Sequence, residues 1–167
     1  MKNAVYCLAV SEEQADAILT HLRTLNFRPS EVSILLQDKV TKNISVKEDV
    51  LRGAEKGGLV GGALGALAGL TALTIPVVGP ILAAGPIVAA IGGAAVGGVV
   101  GGLAGGSGAL TRIGVPKDAA PRLEQVLTEG GILIVVHSKD PARLDMALRV
   151  FKSSGADEIY SPEDLAA

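Results

Sequence analysis

Tryptophan is absent from this chain, and tyrosine and phenylalanine occur only twice each. Small-molecule pockets usually draw on aromatic lining, so this scarcity argues against a soluble enzyme cleft. It also denies the chain the interfacial aromatic belt that anchors many membrane-spanning helices. Cysteine occurs once, at Cys7, which excludes an internal disulfide framework and fits a reducing compartment. Excess positive charge is missing too. The net charge is −2, and no basic stripe or stacking platform points to nucleic acid. The opening MKNAVYCLAVSEEQ holds an apolar run too short for a signal peptide, and acidic residues follow at once. The expected location is the cytoplasm or the cytoplasmic face of the cell membrane.

What the chain has in abundance is glycine, with 22 among 167 residues. Most fall between Gly57 and Ala109, a stretch with no charged residue between Lys56 and Arg112. A helix needs roughly 20 apolar residues to cross about 30 Å of hydrocarbon. Gly57 to Ile75 supplies one such length and Ile81 to Ala109 a second. Pro76 and Pro80, in TIPVVGP, cannot continue a helix interior. These features predict a helical hairpin bent at Pro76–Pro80.

The glycines are regularly spaced. Gly57, Gly61, Gly65 and Gly69 recur every fourth residue, as do Gly93, Gly97, Gly101 and Gly105. The second row extends backwards through Ala89 to Gly85. Residues four apart stack on one helical face, so each helix would present a stripe almost bare of side chains. This is the small-xxx-small device of close helix packing. A flexible linker is the plainer alternative, but linkers are rich in serine and polar residues, and this stretch is rich in Leu, Ile and Val. Arg52, Lys56, Arg112 and Lys117 flank it, placed either to meet anionic headgroups or to keep the junction soluble.

The flanks read as α/β. Ala4 to Val10 suits a strand, and Ser11 with Gln14 forms a capping-box pattern for a helix through Ile18, Leu19 and Leu22. Glu31 to Gln37 reads as a second strand. Beyond the hairpin, Asp118 is a candidate cap for a helix through Leu123 and Leu127 that Gly130-Gly131 stops. ILIVVH, 132–137, is the clearest strand, apolar enough for burial on both faces. Asp140-Pro141 starts a last helix carrying Leu144, Ala147, Leu148 and Phe151, and 156–160 a last strand. Two strand–helix–strand halves predict an α+β, ferredoxin-like split βαβ sandwich with both crossover helices on one face. The division is a first half-head over 1–45, an amphipathic connector over 46–56, the hairpin over 57–110 and a second half-head over 111–167.

AVYCLAVSEEQADAILTHLRTLNF, EVSILLQDK, IPVVGPILAAGP, IGVPKDAAPRLEQVLTEGGILIVVHSKD and SSGADEIY together resemble small bacterial general stress and low-temperature-induced proteins of the YflT-like kind. That resemblance covers nearly the whole chain. It implies a stress association and a glycine-zipper segment, and carries over no catalytic residue.

Candidate chemical sites are few. Cys7, in a strand without a basic neighbour, reads as a small buried thiol. His21 reads as exposed, and Glu12, Glu13, Glu124 and Glu129 as solvated helix positions. His137 ends the central strand just before a helix N-terminus, where anions can bind, although a polar strand end is the plainer reading. No metal-ligand cluster, Walker loop or dinucleotide fingerprint is present in the sequence. The expectation is therefore a protein that is not an enzyme and has no cofactor. It assembles with itself through the glycine hairpin, in or on membrane lipid. A soluble particle or filament with bundled hairpins, and a ligand-sensing head, are the alternatives.

Overall fold

The computed structural model describes residues 3–37, 71–75, 79–87, 110, 115, 117 and 119–161. In chain order these form β1 (Ala4–Ala9), α1 (Glu12–Thr24), β2 (Val32–Gln37), β3 (Thr71–Ile75), β4 (Gly79–Ala84), α2 (Ala120–Thr128), β5 (Ile132–His137), α3 (Pro141–Ser153) and β6 (Asp157–Tyr160). The strands make one six-stranded sheet in the order β3-β4-β2-β5-β1-β6, and every neighbouring pair is antiparallel. The fold is α+β.

Strand periodicity sorts the core into two layers. Val5, Cys7 and Ala9 of β1 and Ile132, Ile134 and Val136 of β5 face α1 and α3, joining Ile18, Leu22, Ala147 and Phe151. Tyr6 and Leu8, with Leu133 and Val135, face the opposite way onto α2 at Leu123 and Leu127. Both crossover helices thus lie on one face, as the handedness rule requires. β5 is buried on both faces, as its unbroken apolar run predicts.

The helix boundaries follow local chemistry. The Ser11 side chain accepts from the Gln14 N–H at 3.2 Å. The Gln14 carbonyl oxygen takes the Val10 N–H at 2.9 Å, one residue earlier than a standard capping box, and its amide nitrogen donates to the Gly155 carbonyl at 2.6 Å. One side chain thereby ties the start of α1 to the end of α3. Asp140 caps α3 through the Ala142 N–H, with Pro141 in the first turn. All three helices end in the same left-handed closure. Asn26 (φ 59°), Gly130 (φ 103°) and Gly155 (φ 63°) occupy its turn position. The following N–H groups of Phe27, Gly131 and Ala156 reach back to Leu22, Val126 and Phe151. For α2 the cap is Ala119, without a side-chain bond; Asp118, the expected cap, lies outside the described residues.

The middle of the chain departs from expectation. Thr71–Ile75 and Gly79–Ala84 are strands, not the end of one helix and the start of another. They pair with each other from Ile75↔Gly79 to Thr71↔Ala83, and β4 then pairs with β2. The chain does reverse between Pro76 and Pro80, but as a β-hairpin. The β-branched residues of TALTI favour that outcome. Pro80 lies within β4, opposite Thr74 of β3. Gly85 is not a member of a helical row either. It sits at φ +84° on leaving β4, against Val32 and Ser33 of β2.

The glycine-rich region is consequently divided. One run, residues 38–70, leaves β2 and returns as β3. The other, residues 88–109, lies between Ile87 and Leu110, both fully buried in the α2-side core. The first run is bounded by strands β2 and β3, and the second by two residues of the α2-side core.

Candidate functional site

The antiparallel register brings one end of four elements together. Ala4 stands opposite His137 and Val32 opposite Val136, so the start of β1, the start of β2, the end of β5 and the cap of α3 share a rim. An open cleft of about 740 Å³ occupies that rim, lined by Asn3, Arg28, Glu31, His137, Lys139 and Arg143 among others.

A chain of polar contacts forms its floor. His137 Nε2 lies 2.9 Å from Ser33 Oγ, and Ser33 Oγ accepts the Ile87 N–H at 3.0 Å. Ser33 is fully buried, and its hydroxyl hydrogen has no other acceptor among the described residues. The hydrogen-bond network therefore assigns the donor role to Ser33 and the acceptor role to a neutral His137. Burial acts the same way and pushes the imidazole down to about 4. Through this link the cleft touches the root of the second glycine-rich run, since Pro86 lines it and Ile87 is held beneath it.

The wall is an ion-paired cluster. Glu31 Oε2 accepts from Arg143 at 3.1 Å and from the Arg28 N–H at 2.9 Å. Burial alone would raise this carboxyl, but the Arg28 N–H bond and the Arg143 charge outweigh it and hold Glu31 below the usual range. The Arg143 guanidinium also lies 4.3 Å from the centre of the Phe27 ring, the residue that closes α1. The acceptors of the wall are thus largely used, and the exposed Lys139 adds positive charge to the mouth.

A nucleophile is not evident in this arrangement. Ser33 is inaccessible and holds a backbone N–H, and Cys7 is buried, with burial pushing its thiol up. Among the described residues no group of three or more His, Cys, Asp or Glu could hold a metal ion.

The pH dependence of stability has a definite sign. The ordinary histidine value is about 6.5, while folded His137 titrates at about 4. Between these values the unfolded chain binds a proton that the folded chain refuses, so stability falls as the pH drops from about 6.5 toward 4. Glu31, held low, costs stability only further into acid, and Glu124, held high, acts in the opposite direction. The His137 part of the slope is isolated by removing its imidazole. Thermal melts of His137→Gln should be flatter than wild type in that interval; equal slopes would refute the assignment.

The other sequence candidates fall as follows. His21 is exposed and Cys7 is buried, both as expected. Glu13 and Glu129 are exposed, but Glu124 is 5 % exposed, and its Oε1 has no hydrogen-bond partner among the described residues. Burial raises its carboxyl. The helical spacing held this signal, because Glu124 shares a face with Ala120, Leu123 and Leu127. Lys117 is exposed in a turn, and Pro80 lies in β4. Gly57, Gly61, Gly65, Gly69, Gly93, Gly97, Gly101 and Gly105, with Pro76, Arg52, Lys56 and Arg112, lie outside the described residues. Among the described residues no helix is long and apolar enough to cross a membrane.

No family model matches the chain, and no curated protein or solved structure matches it either.

Proposed function

We propose that this chain is a non-enzymatic, self-assembling protein. In this reading a ferredoxin-like head carries two glycine-patterned runs that pack against copies of themselves, in or on a membrane. The order β2-β5-β1-β6, with α1 and α3 on one face, supports the split βαβ head. In this reading the β3–β4 hairpin is an addition at the β2 edge.

One observation carries the assembly reading. Ile87 and Leu110 are both fully buried in the head, and the 22 residues between them hold no charge and repeat glycine at 93, 97, 101 and 105. A run of that composition, rooted at both ends in one core, has a large apolar surface to bury. Lipid or another copy must cover it, because apolar patches beyond a few hundred Å² are rarely left bare. Stress association rests on the resemblance to the general stress and low-temperature-induced proteins.

The same roots favour a shallow membrane association over a crossing hairpin. A helix rises 1.5 Å per residue, so two passes through about 30 Å need roughly 40 residues. The second run has 22 between its roots. A soluble oligomer with its runs bundled inside is the second reading, favoured by that shortness. Flotation with phosphatidylcholine–phosphatidylglycerol vesicles separates the two. The membrane reading expects most of the protein to float and to be released by detergent but not by 1 M salt (about a 3 Å screening length). Protein left at the bottom of the gradient as a particle of several copies would replace it with the soluble reading.

A further inference from the structure

Three side chains of the rim cleft have donors left over. Lys139, exposed between β5 and α3, has no hydrogen-bond or ion-pair partner among the described residues. Arg28 meets Glu31 through Nε alone, at 3.5 Å, and its side chain is 78 % exposed. Its two terminal nitrogens have no partner among the described residues. The half-buried His137 accepts the Ser33 hydroxyl at Nε2, so its own proton sits on Nδ1. That N–H has no acceptor among the described residues. All three line the same cleft of about 740 Å³. Its lining consists of described residues throughout: those leading into β1 and β2, the end of β5, the first turn of α3 and Pro86. The acceptors there are largely spent. Glu31 Oε2 takes Arg143 and the Arg28 N–H, and Asp140 Oδ1 caps α3 through Ala142. The lining sets three cations against these two carboxylates.

We infer that this cleft binds a phosphate monoester, with Arg28, His137 and Lys139 as the donors to its phosphoryl group. Such a group carries about −1.5 to −2 charge at neutral pH and three acceptor oxygens. Two unspent cations and one neutral N–H donor answer both properties. A carboxylate offers one charge and two oxygens, and leaves a donor idle. Guanidinium and ammonium groups are the usual phosphate partners, the first through directed N–H bonds and the second as a compact charge. The side chains must do this without the α3 terminus. Pro141 has no N–H, and those of Ala142 and Arg143 are both taken by Asp140. The cleft falls within the range of roughly 300–1,000 Å³ that holds small molecules, which leaves room for the organic part of the ester. A soluble phosphate ester and the headgroup of phosphatidic acid share this chemistry. The site stands apart from the assembly reading, since it needs only residues of one head.

Calorimetric titration of the full chain with glycerol 3-phosphate tests it, with flotation on vesicles as the second arm. The expected dissociation constant is about 1 mM or tighter, and Arg28→Ala and Lys139→Ala should each weaken it about tenfold. Lys152→Ala is the control, an exposed cation at the far end of α3. It should leave the affinity unchanged. The His137 Nδ1–H resonance should shift on titration with glycerol 3-phosphate and not with acetate at equal ionic strength. If glycerol 3-phosphate gives no heat, yet the protein floats better with phosphatidic acid than with phosphatidylglycerol and the Arg28→Ala, Lys139→Ala double variant loses that excess, the ester is a lipid headgroup and the site stands. No binding in either arm would overturn it. So would binding that Lys152→Ala weakens as much as Lys139→Ala does, because general surface charge would then account for it. A monomeric wild type removes the assembly reading and leaves these outcomes as they are.

Discussion

Gly85→Val is expected to destabilise the head by about 3 kcal/mol, and so to lower its melting temperature by roughly 10 °C for a chain of this size. Two costs combine. Gly85 has φ +84°, in a region where a side chain clashes with its own backbone. A Cβ there would also run into the Val32 carbonyl oxygen and lie 2.9 Å from the Ser33 Cα. Neither neighbour is a side-chain tip able to swing away; both are backbone of β2. The β2–β4 ladder must open, and the Ile87–Ser33 bond two residues on is strained with it. Gly155→Ala is the control. It has φ +63°, yet the nearest atom to its Cβ is Gln14 Nε2 at 3.9 Å, so it should lose only the conformational part, about 1 kcal/mol. Equal losses at the two positions, measured by urea unfolding, would show that close packing of Gly85 on β2 contributes nothing.

The double variant Gly65→Leu, Gly97→Leu is expected to reduce assembly at least a hundredfold in dissociation constant while leaving the head folded. Each leucine stands in the middle of a row of glycines spaced four apart. It would hold two backbones apart where contact depends on the absence of side chains, and the lost packing amounts to about 3 kcal/mol or more. Far-UV circular dichroism and the His137-dependent melting slope should match wild type if the rows serve assembly alone. Unchanged assembly in this variant would remove the glycine rows from the interface.

Much of the head was legible before its structure. Caps at Ser11 and Asp140, the stop at Gly130, and the two-sided apolar run of β5 all act within a few residues, and local chemistry decided them. The β3–β4 hairpin was not legible. Short apolar stretches of Thr, Ala, Leu and Ile satisfy helix and strand templates alike, and the glycine periodicity on either side drew them into one helical reading. What decides for strand is the unpaired edge of β2, a partner more than thirty residues away. Gly85 shows the same effect, since its spacing matched the row while its backbone serves a bend. His137 was visible as a polar end to an apolar strand. Its partner Ser33, and the Glu31–Arg143 pair beside it, were not, because register across the sheet joins residues more than one hundred positions apart. Glu124 shares its helical face with Ala120, Leu123 and Leu127, a local signal for burial that its charge masks.

Sedimentation equilibrium of the intact wild-type protein, in plain buffer and again in mild detergent, tests the self-assembly most directly. The expected result is a multiple of the 16.8 kDa chain mass in buffer that falls toward that mass when detergent takes over the apolar runs. A single chain mass in both solvents, with residues 88–109 exchanging their amides as fast as free peptide, would contradict it.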